Sequence, residues 1–135
     1  MKQNMVSIYL FIIGILFIGF GFSYLFFPTE MIALTGMEIQ TATAKTDVWA
    51  IYSGIQIGFG SYLILCSRYT ELYKAGLLSI VFILGGVAIG RTLGILIYEA
   101  HDIYSLSALA FEWIGTFVAL WLNARLKTDV SIKKS

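Results

Sequence analysis

A chain of 135 residues that is 59% hydrophobic, with a mean hydropathy of +0.84, is too apolar for a soluble domain, where roughly half apolar residues are usual. Its formal net charge of +1 supplies no basic surface for nucleic acid, and its single cysteine, Cys66, excludes an intrachain disulfide and every cysteine-rich metal motif. The composition is that of a small integral membrane protein. Four stretches, at about residues 7–27, 48–66, 75–98 and 103–122, each reach the roughly 20 residues needed to cross a bilayer's hydrocarbon. The expected fold is all-α: a four-transmembrane-helix antiparallel bundle forming one domain over residues 1–135.

The first span carries no charge and ends at Pro28, which cannot continue a helix as a donor. Lys2 ahead of an apolar run and the triplet Ala42-Thr43-Ala44 have the outward form of a signal peptide and its cleavage site. The triplet lies well beyond the end of the run, however, and the run exceeds the roughly 7–15 residues of such segments, so it reads as a retained span. The only long connection follows, from Pro28 to Thr46. Its first half, Thr29 to Leu34, is expected to form a short interfacial turn or helix before Gly36. The remainder, with Thr35, Thr41 and Thr43, is expected to be irregular, serving either as a lid over the outer face or as a plain connector.

Thr46-Asp47 offers a cap and a favourable negative charge for the second helix. Within that helix Ile57-Gly58-Phe59-Gly60 repeats Ile18-Gly19-Phe20-Gly21 of the first, and a Ser-Tyr-Leu follows each. Either an inverted repeat or a shared Gly/Phe/Ile vocabulary accounts for this. Cys66 falls at the end of the second span as a reduced, inert thiol. Short polar turns at Ser67 to Lys74 and Glu99 to Ser105 make consecutive helices antiparallel neighbours.

The third and fourth spans each contain one charge, Arg91 and Glu112. Eight residues separate Arg91 from Glu99 and ten separate Asp102 from Glu112, so in a hairpin both lie roughly 12–15 Å from the turn. This spacing predicts one intramembrane ion pair, because an unpaired charge at such depth is costly. Projected at about 100° per residue, Ser105, Ala108, Gly115, Thr116, Ala119 and Asn123 share the face of Glu112, with Leu109 at its edge, while Ala110, Trp113, Ile114, Phe117 and Trp121 lie opposite. Val87, Ala88, Gly94 and Tyr98 lie near the direction of Arg91. Beside them Gly86, Gly90 and Gly94 form a small-residue stripe suited to helix packing within the chain, as do Gly54 and Gly58 on the second span; either set also suits a homodimer contact.

Gln56, nine residues after Asp47, comes to a similar depth, with Tyr52 and Ser53 one turn above it. Arg91, Glu112, Gln56, Tyr52 and Tyr98 are therefore the candidate polar site. It is either a closed salt bridge that fixes helix register, or a pocket in which the planar fork of Arg91 holds a lipid headgroup, a quinone carbonyl or a carboxylate. No catalytic Ser/His/Asp set, phosphate loop or haem-ligating histidine pair is present, and the lone His101 beside Asp102 makes no metal site by itself, so no cofactor is expected. Trp49, Tyr98, Tyr104 and Trp121 occur near span ends, as interfacial anchors do.

Lys2, Arg68, Lys74, Arg125, Lys127, Lys133 and Lys134 fall on the side shared by the termini, and Lys45 alone lies opposite, among Glu30, Glu38, Asp47, Glu99 and Asp102. The positive-inside rule places both termini in the cytoplasm, which in a bacterium makes this a multi-pass inner-membrane protein whose basic tail can meet anionic lipid.

Pro28, Tyr52-Ser53-Gly54 with Gly58 and Gly60, Gly90-Arg91-Thr92-Leu93-Gly94 and Glu112 together give a pattern that resembles a bacterial family of four-span membrane proteins known as a domain of unknown function, with a more distant likeness to DoxX-like proteins. The chain departs from that pattern at Trp49 and Ser53, where an arginine and a second glycine are usual. The resemblance implies a four-helix membrane fold and supplies no activity. The expected function is that of a non-enzymatic binding protein or a subunit of a membrane assembly. The alternative is a membrane enzyme or redox accessory acting on a lipid or quinone, with Arg91 orienting the substrate and Glu112 handling a proton. Expected partners are membrane lipids, an amphipathic ligand such as a lipid or quinone, and a second copy or another membrane protein.

Overall fold

Segments this apolar have to satisfy their backbone N–H and C=O groups internally, and the helix is the form in which a single segment does so. The computed structural model describes the backbone of residues 2–132 and the side chains of residues 3–126; within these it is helical apart from short connections, and no strand occurs. The side chains of Lys2 and Lys127, and all of Lys133 and Lys134, which figure in the charge asymmetry, lie outside the described residues. Four helical stretches, Gln3–Phe26, Ala42–Arg68, Thr70–Tyr98 and Ile103–Leu126, are long and apolar enough to cross a membrane. This is the architecture of a multi-pass membrane protein. The chain divides at Thr70 and Glu71 into two compact units, each containing a pair of these helices.

In the first unit α1 (Lys2–Phe26) stops where Pro28, lacking an N–H, cannot bond back to the preceding turn. Pro28 then opens the short helix α2 (Pro28–Ala33), where its fixed φ is an advantage. The Thr35 hydroxyl donates to the Ile32 carbonyl, and Gly36 turns the chain with φ +77°, a conformation that glycine adopts without steric cost. The short helix expected before Gly36 is thus present.

The second long helix begins earlier than Thr46-Asp47. Thr41, extended at φ −134° and ψ 158°, caps α3 (Ala42–Asp47) by accepting the Ala44 N–H at 3.1 Å. Thr46 lies inside the helix, its hydroxyl turned back to the Ala42 carbonyl, so Thr43 and Thr46 are helical rather than part of an irregular loop. A seven-residue π-helical segment, Val48–Gly54, leads into α4 (Ile55–Arg68). Its cause is visible in burial: Val48 and Ser53 are both buried while Trp49, Ala50 and Ile51 are exposed. Five α-helical steps would turn those two side chains roughly 140° apart, and the wider π turn lets them share a face. Tyr24, Ile32 and Val48 form a buried cluster with Met31, Ile39 and Tyr52 against it, which fastens the long connection to the ends of α1 and the π segment.

The α1–α4 seam explains the repeated tetrapeptide. A side-chain carbon on Gly21 would lie 2.7 Å from Ile57 Cγ1, and one on Gly60 would lie 2.7 Å from Ile18 Cγ1. Each Ile-x-x-Gly therefore packs its isoleucine into the notch left by the glycine of the other, antiparallel copy. At Gly14 the helices approach closely enough that an added carbon would sit 2.8 Å from the Gly60 carbonyl oxygen. Phe17 and Phe59 meet edge to face at 4.9 Å, and at the far end Ser7 Oγ donates to the Ser67 carbonyl at 2.7 Å. Gly54 and Gly58, expected to pack, are exposed.

In the second unit a 3-10 turn, Thr70–Leu72, starts α5 (Tyr73–Tyr98), and α6 (Ile103–Ile132) returns antiparallel to it. Between them Glu99 adopts a left-handed φ of 54°, and Asp102 caps α6 by accepting the Ser105 N–H at 2.9 Å and the Ser105 hydroxyl at 2.7 Å. The hydroxyl bond first, then the N–H bond, holds the Asp102 carboxyl below its ordinary range. Buried residues recur along α5 at Leu77, Ile80, Leu84, Ala88 and Ile95, three to four apart except at the partly exposed Arg91 between the last two. Gly85, not the predicted stripe, lies at the α6 contact: a side-chain carbon there would be 3.3 Å from Thr116 Cγ2, whereas Gly86, Gly90 and Gly94 have no atom that close. The stripe therefore does not form the α5–α6 contact.

Candidate functional site

Arg91 stands eight residues before the turn on α5, and Glu112 ten residues after it on α6. Their side chains meet. Arg91 Nε donates to Oε1 at 2.9 Å and to Oε2 at 3.0 Å, and Nη2 donates to Oε1 at 2.8 Å. The carboxylate thus lies side-on along the Nε–Nη2 edge of the guanidinium, a geometry that a lysine has no means to reproduce. Exposure is unequal, with 26% of the Arg91 side chain accessible against 7% of Glu112. Of the two partners, the Arg91 side chain is the more accessible.

The neighbouring hydroxyls are satisfied locally. Thr92 Oγ1 donates to the Ala88 carbonyl at 2.7 Å and accepts the Trp113 indole N–H at 3.3 Å, while Thr116 Oγ1 donates to the Glu112 carbonyl at 2.8 Å. Such back-bonding is how a hydroxyl avoids being stranded in an apolar helix. Trp113 is consequently half-buried at the α5 contact, although helical projection put it on the face away from Glu112. Gly115, Thr116, Ala119 and Asn123 are buried on the Glu112 side, as that projection required. The Asn123 carbonyl oxygen is the one fully buried side-chain polar atom without a partner among the described residues.

Each of the other candidate residues is described within its own unit. Tyr98 is 80% exposed at the end of α5, about 10 Å along the helix from Arg91. Tyr52 belongs to the π segment of the first unit, its ring 5.3 Å from that of Tyr24, and Gln56 is half-buried in the first turn of α4. Thr92 and Trp113 were missed by sequence reasoning. In an antiparallel hairpin facing positions keep a constant sum, 203 for Arg91 and Glu112, and Thr92 with Trp113 departs from it, so the hairpin register gave no signal for this contact.

Among the described residues no group of three His, Cys, Asp or Glu side chains gathers to hold a metal ion. His101 Nδ1 lies 2.9 Å from the Glu99 carbonyl. Cys66 is wholly buried. At the far end of α6 the Arg125 guanidinium stacks 4.0 Å over the ring of Trp121, a cation–π contact between two exposed side chains.

No curated protein and no solved structure matches this chain. A family model does, over residues 5–123, and those residues include both charged partners, both repeated tetrapeptides and the π segment; the chain belongs to the family described as DUF4345, a domain of unknown function.

Proposed function

We propose that this chain is a bacterial inner-membrane protein with both termini in the cytoplasm that acts without catalysis, binding an amphipathic molecule through Arg91. The observation that carries the reading is the unequal exposure of a neutralised pair: Glu112 is almost covered while a quarter of Arg91 is accessible. The Arg91 side chain is the partner left accessible, and it carries the positive charge. Glu112 holds the arginine in place from the protein side, and the accessible Arg91 side chain receives a polar head whose apolar body stays among the acyl chains. The surplus of Lys and Arg on the side of the termini supports the orientation.

The test is mass spectrometry of what copurifies with the full chain in native lipid. A defined amphipathic species at a fixed ratio is expected with the native protein, and its loss in the double variant Arg91→Gln/Glu112→Gln with helicity unchanged. Equal retention of that species by both proteins would remove Arg91 from the binding role. Recovery of a stoichiometric membrane-protein partner in place of any small molecule would assign the chain to an assembly instead.

A further inference from the structure

We infer that the head received at Arg91 is a neutral carbonyl oxygen on a membrane-soluble molecule, and that the site discriminates against anions because Glu112 already cancels most of the arginine's charge. The inference rests on the binding reading above and names the chemistry of its ligand.

The side-on contact makes the argument quantitative. With Glu112 bonded to both Nε and Nη2, an anionic oxygen seated roughly 4 Å from the guanidinium carbon is only roughly 6 Å from the carboxylate, and because Coulomb energy falls as inverse distance, repulsion cancels about two-thirds of the attraction. No other lysine or arginine occurs between Lys74 and Arg125 to restore it. A bound anion would leave the hairpin with a net negative charge about 12 Å from the turn, deep in helices that are otherwise apolar.

A carbonyl oxygen avoids this. It accepts a charged N–H, which is a stronger bond than a neutral donor gives, and the site stays neutral overall. The cost of taking an ester or ketone oxygen out of water is small beside that of a carboxylate or phosphate and is offset by the bond it gains. The adjacent hydroxyls do not compete for the acceptor: that of Thr92 is directed to the Ala88 carbonyl and that of Thr116 to the Glu112 carbonyl. Arg91, its side chain 26% accessible, is thus the charged donor nearest an incoming acceptor. Two membrane sources share this chemistry, the acyl ester of a lipid and the ring carbonyl of a quinone.

The experiment compares three probes on the detergent-solubilised full chain by native mass spectrometry: methyl oleate, oleate and a decyl-substituted benzoquinone, at about pH 9 so that the fatty acid is ionised. In the native chain the ester or the quinone should bind at least about tenfold more tightly than oleate, and the tighter of the two identifies the source. Glu112→Gln, which unmasks the arginine, should bring oleate up by about tenfold or more and reverse the order. Tighter binding of oleate to the native chain, or an unchanged order in a folded Glu112→Gln protein, overturns the inference while leaving Arg91 as the binding group. Absence of any saturable adduct, or adducts unaffected by Arg91→Gln/Glu112→Gln, overturns the binding reading itself. Should Glu112→Gln fail to fold, the order in the native chain, with the double variant as blank, decides alone.

Discussion

Breaking the Arg91–Glu112 pair from one side or the other should have unequal effects, and breaking it from both sides should be mildest. Arg91→Gln removes the three contacts at 2.8–3.0 Å and leaves Glu112, 7% exposed, as an uncompensated charge. Stripping one partner from a buried pair costs about 3–5 kcal/mol. Glu112→Gln strands an arginine whose side chain is already 26% exposed, on a stem long enough to reach a more polar depth, so the loss is nearer 2 kcal/mol, roughly that of a hydrogen bond to a charged group. The double variant exchanges two charges for two amides able to bond each other and should cost only about 1 kcal/mol. It is therefore expected to be more stable than Arg91→Gln alone, with a coupling of at least about 3 kcal/mol between the sites. Reversible unfolding by SDS titration from mixed micelles, followed by helical circular dichroism, measures all four proteins under one condition. A double variant whose loss equals the sum of the two single losses would show that the contact contributes nothing as a pair.

Three other outcomes follow from the packing, the cap and the π segment. Gly60→Val should destabilise by at least about 1–3 kcal/mol, because its first added carbon would fall 2.5 Å from the Gly14 carbonyl oxygen, a backbone atom, whereas Gly58→Ala, in open space, should be neutral or slightly stabilising; thermal unfolding in detergent compares them. The lowered folded-state pKa of Asp102 means that its cap contributes fully above the ordinary aspartate range and that the contribution is lost as pH falls through the lowered value. Carboxyl NMR titration should show a depressed midpoint that Ser105→Ala moves up, and an unchanged midpoint would remove Ser105 as the cause. Deletion of Ala50 should be tolerated, since Val48 and Ser53 would then be four residues apart and share an ordinary α-helical face, while deletion of Phe59 should abolish the monodisperse peak in size-exclusion chromatography by rotating Ile57 away from Gly21.

The spans and the salt bridge were legible because both depend on distances measured along the chain. Hydropathy needs only length, and the pairing of Arg91 with Glu112 needs only the intervals to a shared turn. The packing glycines were not legible in the same way. A stripe such as Gly86, Gly90, Gly94 shows that a helix is able to be approached, but which flank is used depends on the partner's side chains, and Thr116 meets Gly85 one position earlier. The π segment was hidden because its signal, two buried residues five apart, contradicts the 3.6 period by which helical faces are read. Thr41 and Thr46 are equally good caps by composition; only the extended backbone at Thr41 distinguishes them. Trp113 projected away from Glu112, yet its indole is long enough to reach around to the hydroxyl of Thr92.

The reciprocal notches of the first hairpin also bear on how it assembles. Because Ile18 fills the gap at Gly60 and Ile57 fills the gap at Gly21, the two antiparallel helices are gauged against each other at two heights by the same pattern. Sliding one past the other by a turn would withdraw both bulky side chains from their recesses at once and set them against ordinary helix surface. During insertion, then, a misaligned pair should meet a steric penalty twice over, and the correct alignment is the one in which both recesses close together.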